Sequence, residues 1–104
     1  MLDLLEEINH AMKSEDKLKQ LEKIAKALGD KNRLMILQAV AKKKCINCSE
    51  FLEITNLAQP SVSHHIKILT EAGLLNTDKE GRFVKLSINS SQIEFLTGFL
   101  SKLE

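Results

Sequence analysis

Gln59, Ser61, Ser63, His64 and Lys67 form the group of side chains in this sequence with the plainest chemistry. Each can bond to a base edge or a phosphate, and none is an acid that phosphate would repel. Val62, His65, Ile66 and Leu69 recur between them at spacings of three and four, so one helix would bury the second set and leave the first on its open side. An ordinary amphipathic helix with a solvated face fits the same pattern, and this segment alone does not choose between the two. Cys45-Ile46-Asn47-Cys48 is a second candidate, because a C-x-x-C can hold half of a zinc or soft-metal site or form a redox pair. Two thiolates do not complete a four-ligand site. The only histidines are His10, His64 and His65, and the last two belong to the helix just described.

The elements that must position these groups are marked by their ends. Pro60 suits a first helical turn, where its missing N–H would be unpaired anyway, and Gly73 can take a left-handed cap, so the helix runs from about Gln59 to Ala72. Leu74 to Thr77 and Phe83 to Ile88 are rich in strand formers, with Val84, Leu86 and Ile88 alternating against Lys85 and Ser87. They predict a β-hairpin whose charged tip is Asp78-Lys79-Glu80-Gly81-Arg82. A helix followed at once by a hairpin is the order of a winged helix, in which the helix enters the major groove and the wing touches backbone or minor groove. Lys79 and Arg82 are the candidate wing contacts, although a charged hairpin tip also suits plain solvation.

Upstream, Leu18, Leu21, Ile24, Ala25 and Leu28 predict a helix stopped by Gly29. Asp30 then caps a helix from Lys31 to Ala41, with Leu34, Leu37, Val40 and Ala41 as its core stripe. Both flanks are amphipathic. Leu2, Leu4, Leu5, Ile8 and Met12 mark one helix, and Ile93, Phe95, Leu96, Phe99, Leu100 and Leu103 mark the other. They either close the chain's own core or bury a partner's surface, and so much Leu and Phe at the ends of a short chain favours a partner.

Four blocks, Ala27 to Leu37 (A-L-G-D-K-N-R-L-M-I-L), Leu57 to Leu69 (L-A-Q-P-S-V-S-H-H-I-K-I-L), Glu71 to Leu75 (E-A-G-L-L) and Glu80 to Val84 (E-G-R-F-V), resemble the ArsR/SmtB family of bacterial winged-helix repressors in order and spacing. The likeness spans about residues 18 to 100. It implies a homodimer, paired through helices near both ends, that binds an inverted-repeat operator, blocks its own operon and releases when an inducer binds. It further assigns Cys48 to Asn56 as the first helix and turn of the helix-turn-helix, and Gln59 to Ala72 as the recognition helix. Two departures stand out. Where the family commonly has a Ser that would cap the recognition helix, this chain has Ala58, at a cost of about 1 kcal/mol unless Thr55 or Asn56 compensates. The two cysteines of the family's C-V-C-D-L metal motif fall on Asn47 and Ser49, with Cys48 between them and Cys45 upstream. The Asp/His pattern of the zinc sensors is missing from the last helix. Cys45 and Cys48 are thus left with no sensing role, soft-metal or arsenite binding, or thiol redox or persulfide sensing.

Composition bounds the rest. A chain of 104 residues that is 43% hydrophobic makes one domain with a small core. No apolar run approaches a membrane span and the first residues do not read as a leader, which predicts a cytoplasmic protein. Four Phe with no Trp or Tyr argue against stacking on single-stranded bases. The net charge is only +1, but residues 31–44 hold Lys31, Arg33, Lys42, Lys43 and Lys44 with no acid. Lys42 to Lys44 either complement a helix C-terminus or contact phosphate.

The expected protein is therefore a mainly α (α+β) winged helix-turn-helix in a single domain of residues 1–104. Its helix-turn-helix lies at about 48–72, its wing at about 74–88 and its dimerisation helices at about 2–28 and 90–103. Gln59, Ser61, His64 and Lys67 would read or approach base edges, while Ser63, Lys79 and Arg82 hold backbone. A dimer would set two such helices one DNA turn, roughly 34 Å, apart. The expected partners are an operator duplex and a second copy, with no membrane, no cofactor and an inducer the sequence does not name. A winged-helix protein-interaction module without DNA binding is the alternative. A thiol-disulfide enzyme would need a parallel βαβ unit around the cysteines, yet the 44 preceding residues read as helix, and no other catalytic constellation is present.

Overall fold

The computed structural model describes residues 4–43, 46–81 and 83–104. One unbroken helix, α1 (Leu4–Leu28), stands where the sequence pattern separates two. The polar stretch Lys13-Ser14-Glu15-Asp16-Lys17 breaks the apolar periodicity, but it contains neither Gly nor Pro and so does not break the backbone. Leu21, Ile24 and Ala27 are buried, whereas Ala25 and Leu18 are exposed.

Asp30 caps α2 (Lys31–Lys43) as expected, its Oδ1 accepting the backbone N–H of Asn32 at 2.8 Å and of Arg33 at 3.2 Å. The buried residues of α2 are Ile36 and Val40, with Leu37 half-buried. Leu34 and Ala41, expected in the core, are exposed. This helix is apolar on nearly every side, so its spacing fits several faces, and packing against neighbouring elements selects the one centred on Ile36 and Val40.

A short strand β1 (Ile46–Asn47) and a single 3₁₀ turn (Cys48–Glu50) lead into α3 (Phe51–Thr55). Phe51 is fully buried, which contributes about 1.5 to 3 kcal/mol. Asn56 then turns the chain with φ of 56°, a left-handed conformation that Asn tolerates. The fourth helix, α4 (Gln59–Glu71), has Pro60 in its first turn and buries Val62, Ile66 and Leu69. Its end is a Schellman motif: Gly73 has φ of 78°, its N–H donates to the Thr70 carbonyl, and the Leu74 N–H donates to the Leu69 carbonyl.

The wing consists of β2 (Leu75–Glu80) and β3 (Phe83–Ile88), antiparallel in a register from Leu75 opposite Ile88 to Glu80 opposite Phe83. The connection is residues 81–82, with Gly81 at φ of 60°. Asp78, Lys79 and Glu80, expected in the tip, are strand residues. Their charge lowers strand propensity, but Asp78 faces Lys85 across the ladder and Glu80 forms a 2.9 Å ion pair with Lys85. β1, which the sequence pattern did not reveal, pairs with β3 through Ile46 opposite Leu86 and Asn47 opposite Lys85, giving the order β1-β3-β2. The last helix, α5 (Ser90–Ser101), packs Ile93, Phe95 and Leu96 partly against the core and buries none of its residues fully.

Candidate nucleic-acid interface

Gln59, Ser61, Ser63, His64 and Lys67 are all exposed on α4, opposite Val62, Ile66 and Leu69. Gln59, Ser63 and Lys67 follow one another at four-residue steps and form a single row along the helix. Two grooves flank this row. One, of about 610 Å³, lies between α4 and β2 and is lined by Ser63, Lys67 and Glu71 on the helix and Thr77 and Lys79 on the strand. The other, of about 530 Å³, is lined by Gln59, Ser63, Leu52, Asn47 and the start of β3 at Phe83 and Val84. Ser63 borders both. Of the sequence-predicted residues, Ser63, Lys67 and Lys79 thus meet in one groove, while Gln59 opens into the other. Arg82 lies outside the described residues.

His65 differs from its neighbour His64. It is half-buried, and its Nδ1 lies 3.1 Å from Nη1 of Arg33 on α2. The same guanidinium donates from Nε to the Ala27 carbonyl at 2.7 Å and from Nη2 to the Lys26 carbonyl at 3.1 Å. Arg33 therefore joins the last turn of α1 to the exposed helix. At the other end of α4, the Gln92 amide donates to the Ala72 carbonyl at 2.9 Å and accepts from Gln20 at 2.8 Å, tying α5 and α1 to the helix terminus. Ala58 occupies the N-cap of α4 with no side-chain cap. Thr55 does not compensate, since its hydroxyl donates to the Phe51 carbonyl and accepts from the Leu57 N–H.

Charges near this surface are partly committed. Lys67 faces Glu71 at 4.0 Å one turn away, both well exposed. Lys43 pairs with Glu50 of the 3₁₀ turn at 3.6 Å, so it braces that turn as well as ending α2. Lys42 is exposed, and Lys44 lies outside the described residues. Asp30, which holds two backbone N–H groups, has its pKa lowered, first by the Arg33 N–H bond, against an opposing effect of desolvation.

Comparison with known proteins gives this arrangement its place. A family model described as a helix-turn-helix domain matches residues 28–78. The chain is 37% identical over 82 residues to the HTH-type transcriptional regulator YceK of Bacillus subtilis, covering 77% of this chain and 82% of that one. It is 32% identical over 78 residues to the arsenical resistance operon repressor of Staphylococcus xylosus, covering 75% and 74%. The crystal structure of an ArsR family transcriptional regulator superposes with a TM-score of 0.75 at 27% identity, over 82% of this chain and 87% of that one. The chain belongs to the ArsR family of winged-helix transcriptional regulators.

In this ArsR-family chain α3 and α4, with the exposed row on α4, lie inside the matched helix-turn-helix stretch, and the β2–β3 hairpin is the wing. Cys45, the first of the two candidate thiols, lies outside the described residues, and Cys48 opens the 3₁₀ turn. Among the described residues no group of three His, Cys, Asp or Glu side chains is placed to hold a metal, and no helix is long and apolar enough to cross a membrane. Two residues that sequence reasoning passed over stand out here. Arg33 was legible only as a base in a basic segment, because its partners come from α1 and α4. Phe83 read as a strand former, yet 61% of it is exposed.

Proposed function

We propose that this ArsR-family chain is a cytoplasmic homodimeric repressor of its own operon that binds an inverted-repeat operator. The observation that carries the reading is the exposed row Gln59, Ser63 and Lys67, which continues across a groove to Lys79 of the wing. Gln59, Ser61, His64 and Lys67 approach base edges from the major groove, and Ser63, Lys79 and Arg82 hold the backbone. Pairing is supported by apolar side chains exposed on the terminal helices: Leu18 at 55% on α1, Leu100 at 50% on α5 and Leu103 at 66% just beyond it. A groove between these helices, lined by Leu18, Leu21, Phe95 and Phe99, offers a partner helix further apolar surface. Two copies joined there would present two α4 helices to successive major grooves. The function is regulatory, without catalysis.

The test is fluorescence-anisotropy titration onto DNA from just upstream of the chain's own gene, beside a scrambled duplex, at two salt concentrations and with and without reductant. Selective, salt-dependent binding is expected. Equal affinity for the scrambled duplex would overturn autoregulation through that site. A reductant effect would assign Cys45 and Cys48 thiol redox sensing, and its absence would leave them soft-metal binding or no sensing role.

A further inference from the structure

Phe83 is a large apolar side chain left open beside the DNA-binding helix. It begins β3, and β1 has already ended: the last β1 pair is Asn47 opposite Lys85, two residues further along the strand. No residue of β1 therefore pairs with Phe83 on that side. The groove it lines is shared with Gln59, Ser63, Asn47 and Ser49, its apolar walls are Leu52, Val62 and Val84, and none of its lining residues is ionised. It holds no cation to offer phosphate, only neutral hydrogen-bonding groups. Two amides, Gln59 and Asn47, and two hydroxyls, Ser63 and Ser49, stand beside the aromatic ring.

We infer that Phe83 contacts a thymine C5-methyl group in the operator, next to an adenine approached by Gln59, so that this groove favours an A·T pair. In the major groove adenine offers an acceptor and a donor that a Gln amide matches in bidentate fashion, and thymine offers the methyl group that an apolar side chain covers. Gln59 on α4 and Phe83 on β3 supply these two chemistries to one groove. Through the groove it shares with α4, Phe83 would reach the major groove rather than the backbone or minor groove expected of the wing cations, and would add to sequence choice where a phosphate contact adds salt-dependent affinity. The contact rests on the repressor reading above and adds to it one base preference.

The experiment uses the full chain and the tightest duplex recovered from a randomised pool, with each thymine replaced in turn by uracil, which lacks the methyl group. The wild-type chain should lose about fourfold in affinity at one thymine position, the worth of one buried methyl-sized group. Phe83→Ala should bind the thymine duplex at least about fourfold more weakly, with an unchanged salt slope, and should not distinguish thymine from uracil at that position. Phe83→Leu keeps apolar bulk and should retain part of the discrimination; it also separates the contact from any folding defect. Uracil tolerated at every position by the wild type, or Phe83→Ala discriminating as the wild type does, would overturn this inference alone. Failure of the wild type to enrich any sequence would overturn the repressor reading and this inference with it.

Discussion

Arg33 and His65 are joined across two helices, with Nη1 of the arginine 3.1 Å from Nδ1 of the histidine. A guanidinium only donates, so in this contact the ring nitrogen is the acceptor. The two other bonds from Arg33 go to carbonyls in the last turn of α1, that of Ala27 and that of Lys26, which also accepts the Gly29 N–H at 3.2 Å. One side chain thereby completes the end of α1 and steadies the half-buried edge of α4.

Arg33→Met should therefore cost about 3 kcal/mol, three hydrogen bonds at roughly 1 kcal/mol each. Arg33→Lys should recover only part of this, because one ammonium cannot reproduce the fork that reaches three acceptors. Urea denaturation monitored by circular dichroism would measure both variants. Stability equal to the wild type would mean that water replaces these bonds without loss.

Ala58 leaves the N-cap of α4 without a side-chain acceptor. Its extended backbone, φ −69° and ψ 153°, already has the conformation that an N-cap residue needs. Ala58→Ser should stabilise the fold by about 1 kcal/mol, visible as a melting temperature higher by roughly 4 to 8 °C. A lower melting temperature would show that the hydroxyl finds no N–H to accept.

Asp30 gives a pH dependence of known sign. The backbone N–H bonds from Arg33 and Asn32 lower its pKa in the folded state. The folded chain thus holds fewer protons than the unfolded chain in the window just below the ordinary carboxylate value. The stabilisation is present above that value and is lost as pH falls through the lowered one. Asp30→Asn keeps a good cap but cannot titrate, so its stability should fall less than that of the wild type over this acid range. Parallel thermal melts from neutral to acidic pH would compare them, and identical slopes would assign the acid sensitivity to other carboxylates.

Gly73 is required twice at the end of α4. Its φ of 78° is costly for any residue with a Cβ, and that Cβ would lie 2.8 Å from Nε2 of Gln92, the amide that bonds to the Ala72 carbonyl. Gly73→Ala should destabilise by about 1 to 2 kcal/mol from the backbone alone. Adding Gln92→Ala should remove the clash without removing the backbone cost, so a double-mutant cycle in urea separates the two. Strict additivity would show that the Gln92 side chain simply moves aside.

How much of this was legible depended on whether the determinant was local. Pro60 and Gly73 bound α4 to within a residue because caps act through neighbouring backbone, and the 3.6-residue period placed Val62, Ile66 and Leu69 inside. The alternation of Val84, Leu86 and Ile88 marked β3 for the same reason. β1 was not legible, since two residues become a strand only when β3 arrives from 38 or more positions away. Nor was the choice of Ile36 over Leu34, which depends on what packs against α2. In the site, the polar row on α4 followed from spacing. Phe83 and Arg33 gained their meaning only when the wing and α1 were folded against that helix.

Lys67 and Glu71 put opposite charges one turn apart on the exposed side of α4, at 4.0 Å. Both are well solvated, so the pair adds at most about 0.5 kcal/mol to stability, and removing either should barely change the melting temperature. Their effects on DNA binding should be opposite. Lys67→Ala removes a cation and should weaken operator binding while lowering the salt slope by about one per protomer if that cation neutralises a phosphate. A weaker complex with an unchanged slope would instead assign it to a base edge. Glu71→Gln removes a charge that repels phosphate and competes for Lys67, so affinity should rise, most at low salt where the charge is least screened. Anisotropy titrations at two salt concentrations distinguish these outcomes. Unchanged affinity in both variants would place this end of α4 outside the DNA contact and confine the interface to the helix from Gln59 to His64 and the wing.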